Sequence, residues 1–345
     1  MKKYNVLILC VVFVCRLAFA NDSAGTTAAG GVQFIRTPSV KMVSENLTIS
    51  PTNIAVDYLF QNLSDKAVTT PVFFPLPPYR MLGMNESWDD EVAHDKNAPF
   101  KNFSVIVNGH AVAYQVKTQA MFNGKDITST LIKNGIPLNA QLAAGQIPMD
   151  AQQALKFKQW HAKAFQLKLL DAQGNPGWQK QVIYYWTQTF PAKQNVTISH
   201  QYKPAAGEFY VAKTPNISQQ TPSVMDAIQR IKILFNADLL ALENGKNLQS
   251  WLTEQSVKPT GSNAIYAFIY NVDYILTTGA NWAGPIQQFT LTLNYPNNGV
   301  IAYNHFYKDK TSKLKVIPGK TKLVLSNFVP RQDLHILFGV TSLPR

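Results

Sequence analysis

Apolar residues recur at every second position along several stretches of this chain, a spacing that suits a strand with one buried face. Ile54, Val56, Tyr58 and Phe60 alternate with Ala55, Asp57 and Leu59, and Phe103, Val105 and Val107 repeat the pattern. Asn108-Gly109 follows, and supplies the two positive-φ positions of a type I′ hairpin turn, with Val112 and Tyr114 on the return. Val196, Ile198, His200 and Tyr202 share another face, as do Phe289, Leu291, Leu293 and Tyr295. Antiparallel β-sandwich packing is the expected outcome, with Ile54, Val56, Tyr58, Phe60, Val196, Ile198, Tyr202, Phe289, Leu291 and Leu293 in the core. His200, alternating with apolar neighbours, is expected inside as a neutral, hydrogen-bonded ring.

The first twenty residues read as an export signal. Lys2 and Lys3 form a positive start, 6–14 is an apolar run too short to span a bilayer, and Ala18-Phe19-Ala20 is a small-x-small cleavage pattern. Cleavage after Ala20 would start the mature chain at Asn21, in the periplasm or outside the cell. Both cysteines, Cys10 and Cys15, fall in the removed segment, so disulfides, thiolate metal sites and a cysteine nucleophile are excluded. With 46% hydrophobic and 15% charged residues, the remainder suits a folded, strand-rich protein. No later apolar run approaches a membrane span.

Charge is the compositional oddity. Three of the 32 Lys and Arg lie in the signal, against 20 Asp and Glu that all remain, leaving a mature net charge of +9. That balance favours anionic partners such as lipid head groups, lipopolysaccharide or acidic glycans, although basic exported proteins also carry such charge with no partner for it.

Helical spacing interrupts the strands twice. Between 150 and 170 there is no proline or glycine, Asp150 is a plausible N-cap, and Ala154, Phe157, His161, Ala164 and Phe165 recur at three or four residues. From Ser223, SVMD makes a capping box ahead of Ile228, Ile231 and Phe235, with a stop near Gly245. The expected organisation is a signal peptide over 1–20, an N-terminal β domain over 21–122 and a helical connector over 123–175. A C-terminal β domain over 176–345 completes it, with a helical insert near 221–247. The fold class is mainly β with some helix.

Several short strings occur in order: Asn21-Asp22-Ser23, Glu45-Asn46-Leu47-Thr48-Ile49-Ser50, Phe74-Pro75-Leu76-Pro77, and Tyr185-Trp186-Thr187-Gln188-Thr189-Phe190-Pro191-Ala192. His200-Gln201-Tyr202-Lys203-Pro204, Asn281-Trp282-Ala283-Gly284-Pro285-Ile286 and Asp333-Leu334-His335-Ile336-Leu337-Phe338 follow. In this order they resemble the exported bacterial proteins grouped as domain of unknown function 4424. The resemblance runs from Asn21 to about Phe338 and implies one continuous family unit, without catalytic residues to carry over. It also implies, in many members, one cysteine in the segment equivalent to 233–240 and another in that equivalent to 300–305; this chain has neither. On its own terms, the FPLP string reads as a strand end or a proline-rich recognition strip.

Three sets of residues are candidates for function. Asp89, Asp90, Glu91, His94 and Asp95 form a dense polar cluster that could hold calcium, or less well zinc, or simply be a solvated acidic loop. Lys156, Lys158, Lys163 and Lys168 face no acid between Asp150 and Asp171, and Trp160, Phe165 and Leu169 add apolar bulk. Such a helix can lie in an anionic lipid interface, or pack on a core with its lysines solvated. Trp282, in a turn-forming string, is an expected exposed contact. Neither a GxSxG elbow nor a glycine-rich phosphate loop is present, and no cofactor or nucleic acid is expected. The leading expectation is a non-enzymatic binding or structural module of the bacterial envelope, its partner an anionic component or another envelope protein. The alternative is a hydrolase of an envelope polymer or glycan.

Overall fold

The computed structural model describes residues 22–28, 31–79, 102–138, 151–204, 207–212, 265–297, 299–304, 306–307, 313–317 and 319–340. In chain order these form β1 (Ser23–Ala28), β2 (Gly31–Phe34), β3 (Val40–Ile49), β4 (Ile54–Asn62), β5 (Val68–Pro75) and β6 (Ser104–Val107). Then come β7 (His110–Ala111), β8 (Gln115–Phe122), β9 (Lys125–Asp126) and the helices α1 (Thr128–Lys133) and α2 (Ala151–Gln166). The strands β10 (Gln179–Phe190), β11 (Asn195–Tyr202), β12 (Gly207–Ala212) and β13 (Ile265–Tyr274) precede a short 3-10 helix, Thr277–Asn281. Last are β14 (Ile286–Asn294), β15 (Val300–Tyr303), β16 (Lys313–Ile317), β17 (Lys320–Phe328) and β18 (Leu334–Val340). Strand accounts for 55% of the structure and helix for 13%, so the fold is mainly β. The predicted signal, the acidic cluster at 89–95, the cap Asp150 and the insert near 221–247 all lie outside the described residues.

Three sheets share one core. The largest runs β16-β17-β14-β3-β4-β11-β6-β7, a second runs β2-β1-β5-β10-β8-β9, and a third runs β12-β13-β18-β15. Pairing is antiparallel except between β14 and β3. Strands from both expected β regions therefore share the eight-stranded sheet. In β4 and β11 the inward residues come opposite one another: Phe60 with Val196, Tyr58 with Ile198, Val56 with His200 and Ile54 with Tyr202. All ten residues expected in the core are buried. The Phe60 and Phe190 rings join the eight-stranded sheet to the six-stranded one, and a 2.9 Å bond between the Tyr58 and Tyr274 hydroxyls joins it to the third.

Local chemistry accounts for the punctuation. Asn108 and Gly109 both take positive φ, as the hairpin between β6 and β7 requires. β5 ends at Pro75, the first proline of FPLP, which cannot donate to a ladder. A register shift between Met42 and Ser44 in β3 is the less expected feature. Before it Val40 and Met42 point inward; after it Glu45, Leu47 and Ile49 do. One extra residue thus turns Glu45 into the core.

The connector has its own small core. Ala120, Leu131, Ile136, Trp160, Ala164, Leu169 and Trp178 form a buried cluster beside β8 and the edge strand β9. Gly177 lets the chain pass close: a Cβ there would lie 2.7 Å from the Phe122 ring and 2.9 Å from the Leu169 carbonyl oxygen. α2 stops where Lys168 takes φ of 56°. The Leu169 N–H then donates to the Ala164 carbonyl and the Lys168 N–H to that of Phe165, the paired bonds of a Schellman cap.

Candidate functional site

Polar side chains gather in several places that differ in access. The first is buried. Asp22 and His200 both have fully buried side chains, and the His200 Nε2 group lies 3.0 Å from the Asp22 carboxylate. His200 Nδ1 faces the Ser104 carbonyl at 3.3 Å, so both ring nitrogens have polar partners. Its buried, hydrogen-bonded position is as expected. Phe74, Trp186 and Tyr58 enclose it, with ring centroids 4.7, 5.2 and 5.9 Å away. Burial raises the Asp22 pKa, opposed by the charge and hydrogen bond of His200.

The same region holds Trp282, which corrects the expectation of an exposed contact. Trp282 is 4% exposed, packs on Phe60 at 4.7 Å and donates its indole N–H to the Asp22 carbonyl at 2.6 Å. The neighbouring Asn281 amide donates to the Ser23 hydroxyl. Burial, reinforced by the charges of Tyr274, Glu45 and Asp22, keeps the Tyr58 hydroxyl protonated. The strings beginning at Asn21, Glu45, Phe74, Tyr185, His200 and Asn281 each send a residue into this region. They serve the packing of the sandwich, with no open path to solvent at the Asp22–His200 pair.

A half-exposed pair lies elsewhere. His335 Nδ1 is 2.8 Å from the Asp273 carboxylate. Burial disfavours the charged ring, but the hydrogen bond and charge of Asp273, with Asp333 beyond, outweigh it and hold the His335 pKa above its ordinary value. Asp333 accepts from the Leu276 and Thr277 N–H groups and the Thr277 hydroxyl, which fastens the start of the 3-10 helix.

A further place is on the connector. A cleft of about 540 Å³ opens between α2 and the turn after α1, lined by Gly135, Ile136, Pro137, Lys156, Gln159, Trp160 and Lys163. Ile136 and Trp160 are buried and give it an apolar floor. Lys156 and Lys163, two turns apart on α2, stand on its wall, and Lys163 donates to the Asn134 carbonyl at 3.0 Å. The volume falls within the range of small-ligand sites.

The four candidate lysines therefore do not act as one face. Lys156 and Lys163 flank the cleft; Lys158 points away from it, and Lys168 lies past the helix end. Phe165, expected among the packed residues, is 73% exposed, while Phe157, Trp160 and Ala164 pack inward. The cause is angular: residue 165 lies about 100° beyond 164 on a helix, outside the arc that the core covers. His161 meets the Gly174 carbonyl at 2.8 Å, which ties α2 to the loop after it. Sequence reading missed the turn residues 135–137 as part of the site, though Asn134-Gly135 announces a turn at that point.

Among the described residues no helix is long and apolar enough to cross a membrane, and no cluster of three metal-ligating side chains occurs. Comparison with curated proteins finds no relative. A solved protein of Legionella pneumophila subsp. pneumophila, provisionally described as nutrient binding, aligns with 92% of this chain and 69% of its own at 14% identity, with a TM-score of 0.38. A score that low establishes no shared fold. The family model described as a domain of unknown function, DUF4424, matches residues 20–337. With nearly its whole length matched, and with the strings that suggested the resemblance meeting in one buried region, this chain belongs to the DUF4424 family.

Proposed function

We propose that the protein is an exported, non-enzymatic binding module of the bacterial envelope, and that the connector cleft takes an anionic envelope component. The observation that carries this reading is the joint presence of Lys156 and Lys163 on one wall over the apolar floor of Ile136 and Trp160. Two ammonium groups two turns apart attract a phosphate or carboxylate, while the buried indole and Ile136 favour an apolar or sugar-ring portion beside it. A chain with a mature net charge of +9 adds a general attraction for such ligands.

The test is calorimetric titration with the delipidated, phosphorylated oligosaccharide of lipopolysaccharide and with an acidic oligosaccharide. Binding of either, weakened at least tenfold in the Lys156→Gln/Lys163→Gln double variant, supports the reading; indifference to both, or equal binding by the variant, overturns it. Export is tested separately, by mass spectrometry of the protein recovered from cells, where Asn21 is expected as the first residue.

A hydrolase is the second reading, and the half-exposed Asp273–His335 pair is the observation in its favour. No nucleophile is seen in contact with that pair among the described residues. Release of reducing ends from envelope glycan by the wild type, lost in His335→Ala, would place this reading first.

A further inference from the structure

The side chains of α2 divide into two arcs. Lys156, Trp160 and Lys163 look into the cleft or the core beside it. Leu155, Lys158, Ala162 and Phe165 succeed one another at three or four residues and so share an outward arc, where all four are exposed. Phe165 is 73% exposed and Leu155 58%. Leu167, also exposed, and Lys168 continue this end of the helix. No acid occurs anywhere from 151 to 170.

We propose that this outward arc seats the protein on an anionic lipid surface. Phe165 and Leu155 enter the boundary between head groups and acyl chains, and Lys158 and Lys168 pair with the phosphates. At 16 residues the helix is about 24 Å long, shorter than the roughly 30 Å hydrocarbon layer, so it lies along the surface rather than across it. Lipid fits better than a protein groove. The two large apolar side chains are separated by about 15 Å of helix and cannot supply the roughly 800 Å² that a stable protein interface takes from each partner. A helix in the lipid interface needs only a shallow insertion of apolar side chains, helped by surface charge. This inference extends the anionic-partner reading of the connector, but it uses the arc facing away from the cleft.

The absence of cysteine from residues 21–345 makes the test direct. A Phe165→Cys variant carrying an environment-sensitive dye reports whether position 165 enters lipid. Vesicles of phosphatidylcholine alone, and of equal parts phosphatidylcholine and phosphatidylglycerol, are mixed with the protein at low salt and at high salt. Co-sedimentation with the phosphatidylglycerol vesicles at low salt is expected, with a blue shift of the dye and weakening as salt rises. Lys158→Gln/Lys168→Gln should weaken binding about tenfold, and Leu155→Ser/Phe165→Ser should abolish it at an unchanged thermal midpoint. Lys156→Gln/Lys163→Gln, which defines the cleft, should leave vesicle binding within about twofold. Failure to bind anionic vesicles at low salt overturns the proposal, as does full binding by Leu155→Ser/Phe165→Ser. A dimer that Phe165→Ser dissolves, with no vesicle binding, assigns the arc to a second copy and overturns it too. Indifference of the wild type to the cleft ligands, with vesicle binding intact, strikes only the ligand reading.

Discussion

The β core and the helical connector handle charge in opposite ways. In the core, Asp22 and His200 are buried together, under Trp186 and Phe74, and the start of the described chain is fastened by Trp282 and Asn281. In the connector, the lysines stay in water around a cluster of seven buried residues, and its aromatic Phe165 lies outside. Burying two hydrogen-bonded polar groups makes a region intolerant of change, because either partner alone is left unsatisfied in a low-dielectric interior. Leaving charge outside makes a region tolerant of change and available to a ligand. The strings that suggested the family thus close the sandwich, whereas the proposed binding surface is carried by the small appended core.

Breaking the pair is the largest expected effect. Asp22→Ala leaves His200 buried without its hydrogen-bond partner and should cost about 1 to 3 kcal/mol in urea unfolding. A loss below about 1 kcal/mol would mean that the core tolerates charge as the connector does.

The pH dependence sharpens the same point with a smaller signal. Burial raises the Asp22 pKa, so the folded state binds its proton more tightly than the unfolded chain. Its contribution is then fully present below the unfolded value of about 3.9 and is lost as pH rises through the higher folded value. Relative to Asp22→Asn, which cannot titrate, the wild type should lose stability as pH is raised across that window. A difference between the two that stays flat with pH, followed by thermal melting, would contradict the assignment.

The smallest effect is in the connector. Lys168 holds a positive φ at the Schellman cap, a conformation that glycine adopts without a steric penalty. Lys168→Gly should therefore stabilise the protein by roughly 0.5 to 1 kcal/mol, while weakening binding to anionic vesicles. An unchanged or lowered midpoint would show that the lysine stem packs more than its exposure suggests.

Much of this was legible in the residues. Period-two alternation placed all ten core residues, and Asn108-Gly109 placed its hairpin, because each signal is local. What was not legible is relational. The shift in β3 that turns Glu45 inward is an extra residue in a ladder, invisible without the partner strand. Nothing in the pattern pairs Asp22 with His200 across 178 residues, or sets β3 beside β14. Trp282 is buried where its turn-forming neighbours predict exposure, because the 3-10 helix Thr277–Asn281 carries the indole inward. In α2 the lysines were found but their division between two arcs was not, since Phe165 and Ala164 are adjacent in sequence and a quarter-turn apart in space.

The central claim is that binding belongs to the connector and can be removed without touching the fold. One measurement tests it most directly: titration of wild type and Lys156→Gln/Lys163→Gln with the delipidated, phosphorylated oligosaccharide of lipopolysaccharide, each sample melted beforehand. The account predicts wild-type binding, a loss of at least tenfold in the variant and midpoints that agree within about 2 °C, because the lysines are solvated and removed from the sandwich core. Equal binding by both proteins, or a variant that loses ligand only because it has unfolded, would contradict it.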